Sequence, residues 1–291
     1  MEKGQTLLII VLIMVVGLTV GLAVASRSII NVRTSTEEEN SQRAFSAAEA
    51  GVEQALRKGC LSPTGTTCTP ILAQEFTDNM KSTFNADITS VSGSSLNGNA
   101  LLLNGGNPVP KDDGIDVWLV SHDSSGKPDY TNRFTANMTV HWGILSDQCS
   151  SDPLQNTMAA IEAIVISGTV SNPQTNRYTY DPCSSENGDG SRRNTNNFAN
   201  AAKGNAGNIG GVTFNYKTNI HISNGLVMRI IPIYASTPIG IDANNQQLLP
   251  SQGNKIDSIG TSGLTKRKVI YYKGYPALPV EFFQYILFSP K

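Results

Sequence analysis

Residues 6–25, TLLIIVLIMVVGLTVGLAVA, form an uncharged apolar run only a few residues from the amino terminus. As an α-helix rising about 1.5 Å per residue, twenty residues span about 30 Å, the thickness of a bilayer hydrocarbon core. A cleavable secretory peptide has a shorter apolar stretch and ends at a small-x-small site; Ala23-Val24-Ala25 offers such a site. The chain nevertheless continues past it with no glycine between Gly21 and Gly51 and no proline before Pro63. Apolar residues at Phe45, Ala48, Val52 and Leu56 then recur at helical spacing. Glu39 precedes Arg43 by four residues, and Glu53 precedes Arg57 by four, the favourable order for helical ion pairs. Arg57, Lys58 and Gly59 supply a stop signal. The pattern predicts one helix over residues 5–58, in lipid over 6–25, polar and exposed over 33–43, and packed along a stripe over its last turns. Within the span, Gly17 and Gly21 make a G-x-x-x-G pair suited to close helix–helix approach.

Charge does not orient this segment. Lys3 precedes the span, while Arg27 and Arg33 follow it. The four cysteines do bear on location, because an even number behind an export segment reads as two disulfides. Three pairings are open for Cys60, Cys68, Cys149 and Cys183; sequence proximity favours Cys60–Cys68 and Cys149–Cys183. In the chain-entropy picture the longer loop is worth about 4 kcal/mol. The alternative is four buried free thiols. The low charged fraction, 15%, with polarity carried by Asn, Ser, Thr and Gly, suits an extracytoplasmic β-rich domain.

Beyond residue 59, the segments 86–91, 114–121, 134–144, 159–170, 225–234 and 268–272 read as strands. Ala136, Met138, Val140 and Trp142 alternate with Asn137, Thr139 and His141, which places His141 on a polar, exposed face. Residues 72–84 fit a short helix, with Phe76, Met80 and Phe84 four apart. The whole predicts an α+β protein: a long N-terminal helix, transmembrane and then amphipathic, packed on an antiparallel β-rich ectodomain of residues 59–291. Residues 184–211 stand apart. Thirteen of these 28 residues are Asn or Gly, and Phe198 and Ile209 are the only large apolar ones, so the interval reads as a mobile exposed loop.

The start of the chain resembles a type IV prepilin: a short leader, residues 1–4, ending in Gly4, then Gln5, neutral Thr6 and an Ile/Leu/Val run. AFSAAEAGVEQAL, residues 44–56, is similar to the AF-x-AAEAG-[LV]-x-x-AL signature of PilX-like minor pilins. SIGTSGLTKRKV (258–269) and PALPVEFFQYILFS (276–289) carry a weaker likeness to such proteins. The resemblance implies cleavage by a prepilin peptidase between Gly4 and Gln5, methylation of the new amino terminus, and assembly with other pilin subunits through the N-terminal helix. It also implies a cytoplasmic-membrane subunit with an extracytoplasmic ectodomain, extracellular once assembled into a filament. Two departures stand out. Pilins usually begin the mature chain with Phe, here Gln5, and carry Glu at the fifth mature residue, here Ile9. A lone carboxylate in lipid is costly unless paired, and in the family it is thought to pair with a neighbour's amino terminus. Lacking it, this chain suits the filament tip or the initiation complex. The alternative is a signal-anchored adhesin or surface binding module that does not polymerise.

Catalytic and binding motifs weigh little. His122, His141 and His221 are too scattered for a ligand pair on one element. Ser124–Lys127 satisfies S-x-x-K but sits in a turn-rich loop without companion motifs. ENGDG (186–190) lacks the alternating acids of a calcium loop. Lys266-Arg267-Lys268 alternates across a strand and cannot form one patch, and Arg192-Arg193 is a small basic spot. With a net charge of −1, nothing points to nucleic acid. No enzyme, metal or cofactor is expected.

Overall fold

The computed structural model describes residues 3–57, 71–75, 82–91, 100–123, 126–150, 152, 154–184, 192–244 and 247–279, with backbone alone at 3–8, 71–75 and 204–206. The helices are α1 (Lys3–Arg57) and the single turn α2 (Arg193–Asn196). In chain order the strands are β1 (Ile71–Glu75), β2 (Thr83–Ser90), β3 (Ala100–Leu102), β4 (Ile115–Trp118), β5 (Val120–His122), β6 (Pro128–Trp142) and β7 (Ala160–Thr169). They continue with β8 (Asn172–Tyr180), β9 (Ala202–Ile209), β10 (Val212–Ile233), β11 (Ile239–Asp242), β12 (Gly253–Ser262) and β13 (Thr265–Gly274). The chain divides into two units. The first holds residues 1–58, 69–88 and 256–271, the second residues 59–68, 89–255 and 272–291.

In the first unit α1 runs unbroken, as the absence of proline and interior glycine after residue 21 predicts. Its C-terminal turns lie on an antiparallel sheet of order β1-β2-β12-β13. The buried face of the helix is Ala44, Ala47, Ala48, Gly51, Val52 and Ala55, spaced i, i+3, i+4, i+7, i+8, i+11. Ala48 and Val52 of the expected stripe are buried and Leu56 is half-buried, but Phe45 is not part of it: the ring is 47% exposed. The correction is one of size. The sheet comes too close to the helix for a phenyl ring, and alanine and glycine take the facing positions. A Cβ on Gly260 of β12 would stand 1.9 Å from the carbonyl oxygen of Ala44 and 2.5 Å from the amide nitrogen of Ala48. On Gly51 it would meet the Ser258 hydroxyl at 2.3 Å and the Phe84 ring at 2.8 Å. Phe84, Ala86 and Ile256 fill the space beside this contact. Asn40–Ser262 and Ser41–Arg267 hydrogen bonds border it. The expected pairs Glu39–Arg43 and Glu53–Arg57 form at 2.7 and 2.6 Å, together with Arg33–Glu37 at 2.9 Å. Being exposed, each is worth about 0.3–0.5 kcal/mol.

Residues 72–84, expected as a short helix, include β1 and the start of β2 instead. Phe84 alternates with Ala86 on the helix-facing side of β2, so a period of two, set by the helix above it, overrides the four-residue spacing of the aromatic side chains.

The second unit is a nine-stranded antiparallel sheet whose main path is β3-β11-β6-β10-β7-β8, with β4 and β9 also on β10 and β5 on β6. β10 organises it. Over residues 212–225 it pairs with β9 and β6; after an irregularity near Asn224, held at φ +52°, residues 225–233 pair with β7 and β4. Alternate residues of β6 (Phe134, Ala136, Met138, Val140, Trp142) join Ile161, Ala163 and Val165 of β7 and Met228 and Ile230 of β10 in one core. The other face of β7, Ile164 and Ile166, packs with Trp118, Val120, Leu226 and Val227. Burial on both faces explains the near-continuous apolar run of β7.

The helix–sheet contact yields a direct test. Gly260→Ala should push α1 off β12 and cost about 3 kcal/mol of stability. Gly17→Ala, where no atom lies within 4 Å of the added carbon, should leave thermal unfolding of the detergent-solubilised chain unchanged.

Candidate functional site

The membrane-facing element comes first. Helix α1 is long and apolar enough to cross a membrane. From Ile9 through Val32 its large apolar side chains are exposed. Gly17 and Gly21 lie one turn apart on this stretch and touch nothing within 4 Å. Gly4 and Gln5 fall in the first turns of α1, in the part described by backbone alone.

The second unit carries two buried polar constellations that spacing in the sequence could not reveal. In one, Cys149 and Cys183 form a disulfide, Cα–Cα 5.7 Å, which is the pairing favoured by proximity. Cys60 and Cys68 lie outside the described residues. Beside the bridge, fully buried Asp181 accepts from Arg192 Nε and Nη2 at 2.8 and 2.7 Å, and from the Cys183 amide at 2.9 Å. The Arg192 guanidinium also sits 3.9 Å over the Tyr234 ring. Arg192 is therefore an internal ion-pair partner rather than half of a surface basic spot. The interval 184–211, expected to be a mobile loop, contains α2 and β9, with Ala201 and Ile209 buried. Composition misled because its order comes from outside the interval: the disulfide and Asp181 fix one end, and the backbone of β10 fixes the other. Its ENGDG stretch, and Ser124 of the S-x-x-K pattern, lie outside the described residues.

In the other constellation, Asp116 of β4 and Arg229 of β10, adjacent in register, form a buried pair at 2.6 and 2.9 Å. The pair grips the backbone of Leu278 at both ends. The Leu278 N–H donates to Asp116 Oδ2, and Arg229 Nη2 donates to the Leu278 carbonyl, each at 2.8 Å. Three residues earlier, Tyr275 stacks on His122 with centroids 3.6 Å apart and planes 10° from parallel; Trp118 meets the same imidazole edge-on at 4.6 Å. The side chain of Gln252 takes the place of a neighbouring strand at Trp118. Its Oε1 accepts from the Trp118 N–H and its Nε2 donates to the Trp118 carbonyl, both at 2.8 Å, which blunts the free edge of β4.

Between β3 and the turn after it on one side, and β4 with residues 272–275 on the other, lies a cleft of about 930 Å³, within the range of ligand pockets. At its mouth Asn104, Gly105 and Gly106 are all left-handed, with φ of 50°, 62° and 88°.

The three histidines occupy separate places. His221 is exposed and bonded to Asn137 at 2.9 Å. His141 is 6% exposed, not on an open face as its alternation suggested, because β11 and the Phe214 ring cover that side of β6. His122 is 2% exposed, and burial holds its pKa below the ordinary value despite neighbouring Asp123. The Lys266–Lys268 triplet divides across its strand: Arg267 donates to Ser41 of α1, while Lys268 pairs with Asp257 at 3.6 Å.

Comparison with protein-family models, with curated proteins and with solved structures finds no match to this chain.

His122 generates a pH prediction. The unfolded chain takes up a proton near pH 6.5 and the native imidazole only at lower pH. Stability should therefore hold above that value and fall as pH drops through it. His122→Phe, which keeps a ring between Trp118 and Tyr275, should remove this component, measured as midpoint denaturant concentration from pH 7.5 to 5.

Proposed function

We infer that this chain is a PilX-like minor pilin, a non-enzymatic structural subunit of a type IV pilus or related filament. The observation that carries the reading is the division of labour along one unbroken helix. Its first half is apolar and has no intramolecular partner, while its AAEAG box supplies the small residues on which an antiparallel sheet rests. Apolar helix surface of this kind is buried either by lipid or by other helices, and a filament subunit moves from the first to the second. In this reading a prepilin peptidase cuts after Gly4, the Gln5 amine is methylated, and the subunit leaves the cytoplasmic membrane through its helix contacts with other pilins. Ile9, in place of the usual carboxylate, places it at the tip or in the initiation complex, where no preceding subunit needs to be matched. The exposed face of α1, including Phe45, then belongs to the contact with neighbours rather than to the monomer core.

A second reading, a signal-anchored surface binding module, draws on the nine-stranded unit and its cleft. The intact mass of the exported protein separates the two. Loss of MEKG, with an added methyl group or without it, supports pilin processing; a full-length chain or a cut after Ala25 removes that support. Gly4→Leu should abolish maturation. Phe45→Ser should lower incorporation into sheared filaments several-fold while shifting monomer stability by no more than about 0.5 kcal/mol. Unchanged incorporation would take the filament contact away from this face.

A further inference from the structure

The cleft of the second unit has a lining that selects a class of ligand. Its charged side chains are Lys255, Lys273 and Asp116, and both carboxylate oxygens of Asp116 are engaged by Arg229 and the Leu278 amide. The cleft therefore presents positive charge and favours an anion. Two tyrosines border it. Tyr272 is 56% exposed, and Tyr275 has one ring face held against His122, which fixes the plane it offers. Aromatic faces are electron-rich and attract the C–H-bearing faces of saccharide rings. Trp118, which also lines the cleft, buries an indole N–H with no hydrogen-bond partner among the described residues, and neither nitrogen of His122 has one. Buried polar groups are normally matched. A hydroxyl-rich ligand at this end of the cleft supplies the matching groups; an apolar ligand leaves them unmet. An acidic peptide would answer the lysines but has no flat C–H face for the tyrosines.

We propose that this cleft binds an acidic oligosaccharide, with carboxylates toward Lys255 and Lys273 and sugar rings against Tyr272 and Tyr275. The site does not depend on the filament reading, since its binding can be measured on the purified chain whether or not the leader is cleaved.

The test is calorimetric titration of the full-length chain in a non-ionic detergent with tetragalacturonate, cellotetraose and tetraglutamate. Tetragalacturonate should bind with an affinity that falls as salt rises, and at least about tenfold more tightly than either of the other two. Tyr272→Ala and Lys273→Met should each weaken it about tenfold or more. Leu154→Ser, at an exposed position outside the cleft, should leave it unchanged, and near-ultraviolet circular dichroism should show all three variants folded. Absence of binding at millimolar saccharide, equal binding of cellotetraose, equal binding of tetraglutamate, or full affinity in folded Tyr272→Ala would each overturn the proposal.

Discussion

Where α1 meets β12, two backbones approach so closely that neither can carry a side chain at the crossing. Gly260 lies under the carbonyl of Ala44 and the amide of Ala48, and Gly51 faces Ser258 and Phe84. The short distance has an energetic consequence. Dispersion between backbones at contact is individually small but summed over many atom pairs, and it is lost if one methyl group holds the surfaces apart. The larger residues Phe84, Ile256 and Val52 then close around the crossing and exclude water. Only the last few turns of a 55-residue helix are secured in this way. The apolar turns before them make no contact with the rest of the chain, so their cover has to come from lipid or from other helices.

The second unit is held by a different means. Its long central strand, β10, changes partners partway along, so one strand contributes to several ladders. Buried ion pairs then tie on segments that lack strands of their own. Removing two charges from water is costly, and the cost is offset only where geometry is good and the remaining hydrogen-bonding positions are filled. Asp116 and Arg229 meet that condition by taking both backbone groups of Leu278; Asp181 and Arg192 meet it with the Cys183 amide and the Tyr234 ring. Each pair joins residues distant in sequence and fixes the position of a segment that would otherwise be an unpaired loop. The same arrangement turns Trp118 and Tyr275 toward the cleft.

The parts that could be read from the residues are those whose cause is local. Helix α1 follows from an apolar run without breakers and correctly ordered Glu–Arg pairs. The inward set of β6 follows from strict alternation at Ala136, Met138, Val140 and Trp142. The misreadings occur where a distant neighbour decides. Phe45 fits the helical stripe but faces outward, because the sheet approaches at the alanines instead. Phe84 fits a four-residue repeat but lies on a strand. His141 alternates onto a polar face that β11 and Phe214 then cover. The Asn- and Gly-rich interval 184–211 includes β9, because β10 supplies hydrogen bonds that composition cannot report. None of the cleft was legible, since it is assembled from residues near 101, 116, 254 and 273.

The amino-acid order alone determined a single membrane-length helix continuing into a packed amphipathic end, an antiparallel strand-rich remainder, and cysteines spaced for bridging. These are set by hydropathy, periodicity and the presence or absence of helix breakers, all of which act over a few neighbouring residues. Tertiary structure decided which helix face touches the sheet, which carboxylate meets which guanidinium, and where a cleft opens. Those outcomes depend on close packing and on desolvation of charges brought together from distant parts of the chain, and both are properties of the assembled fold rather than of any one segment.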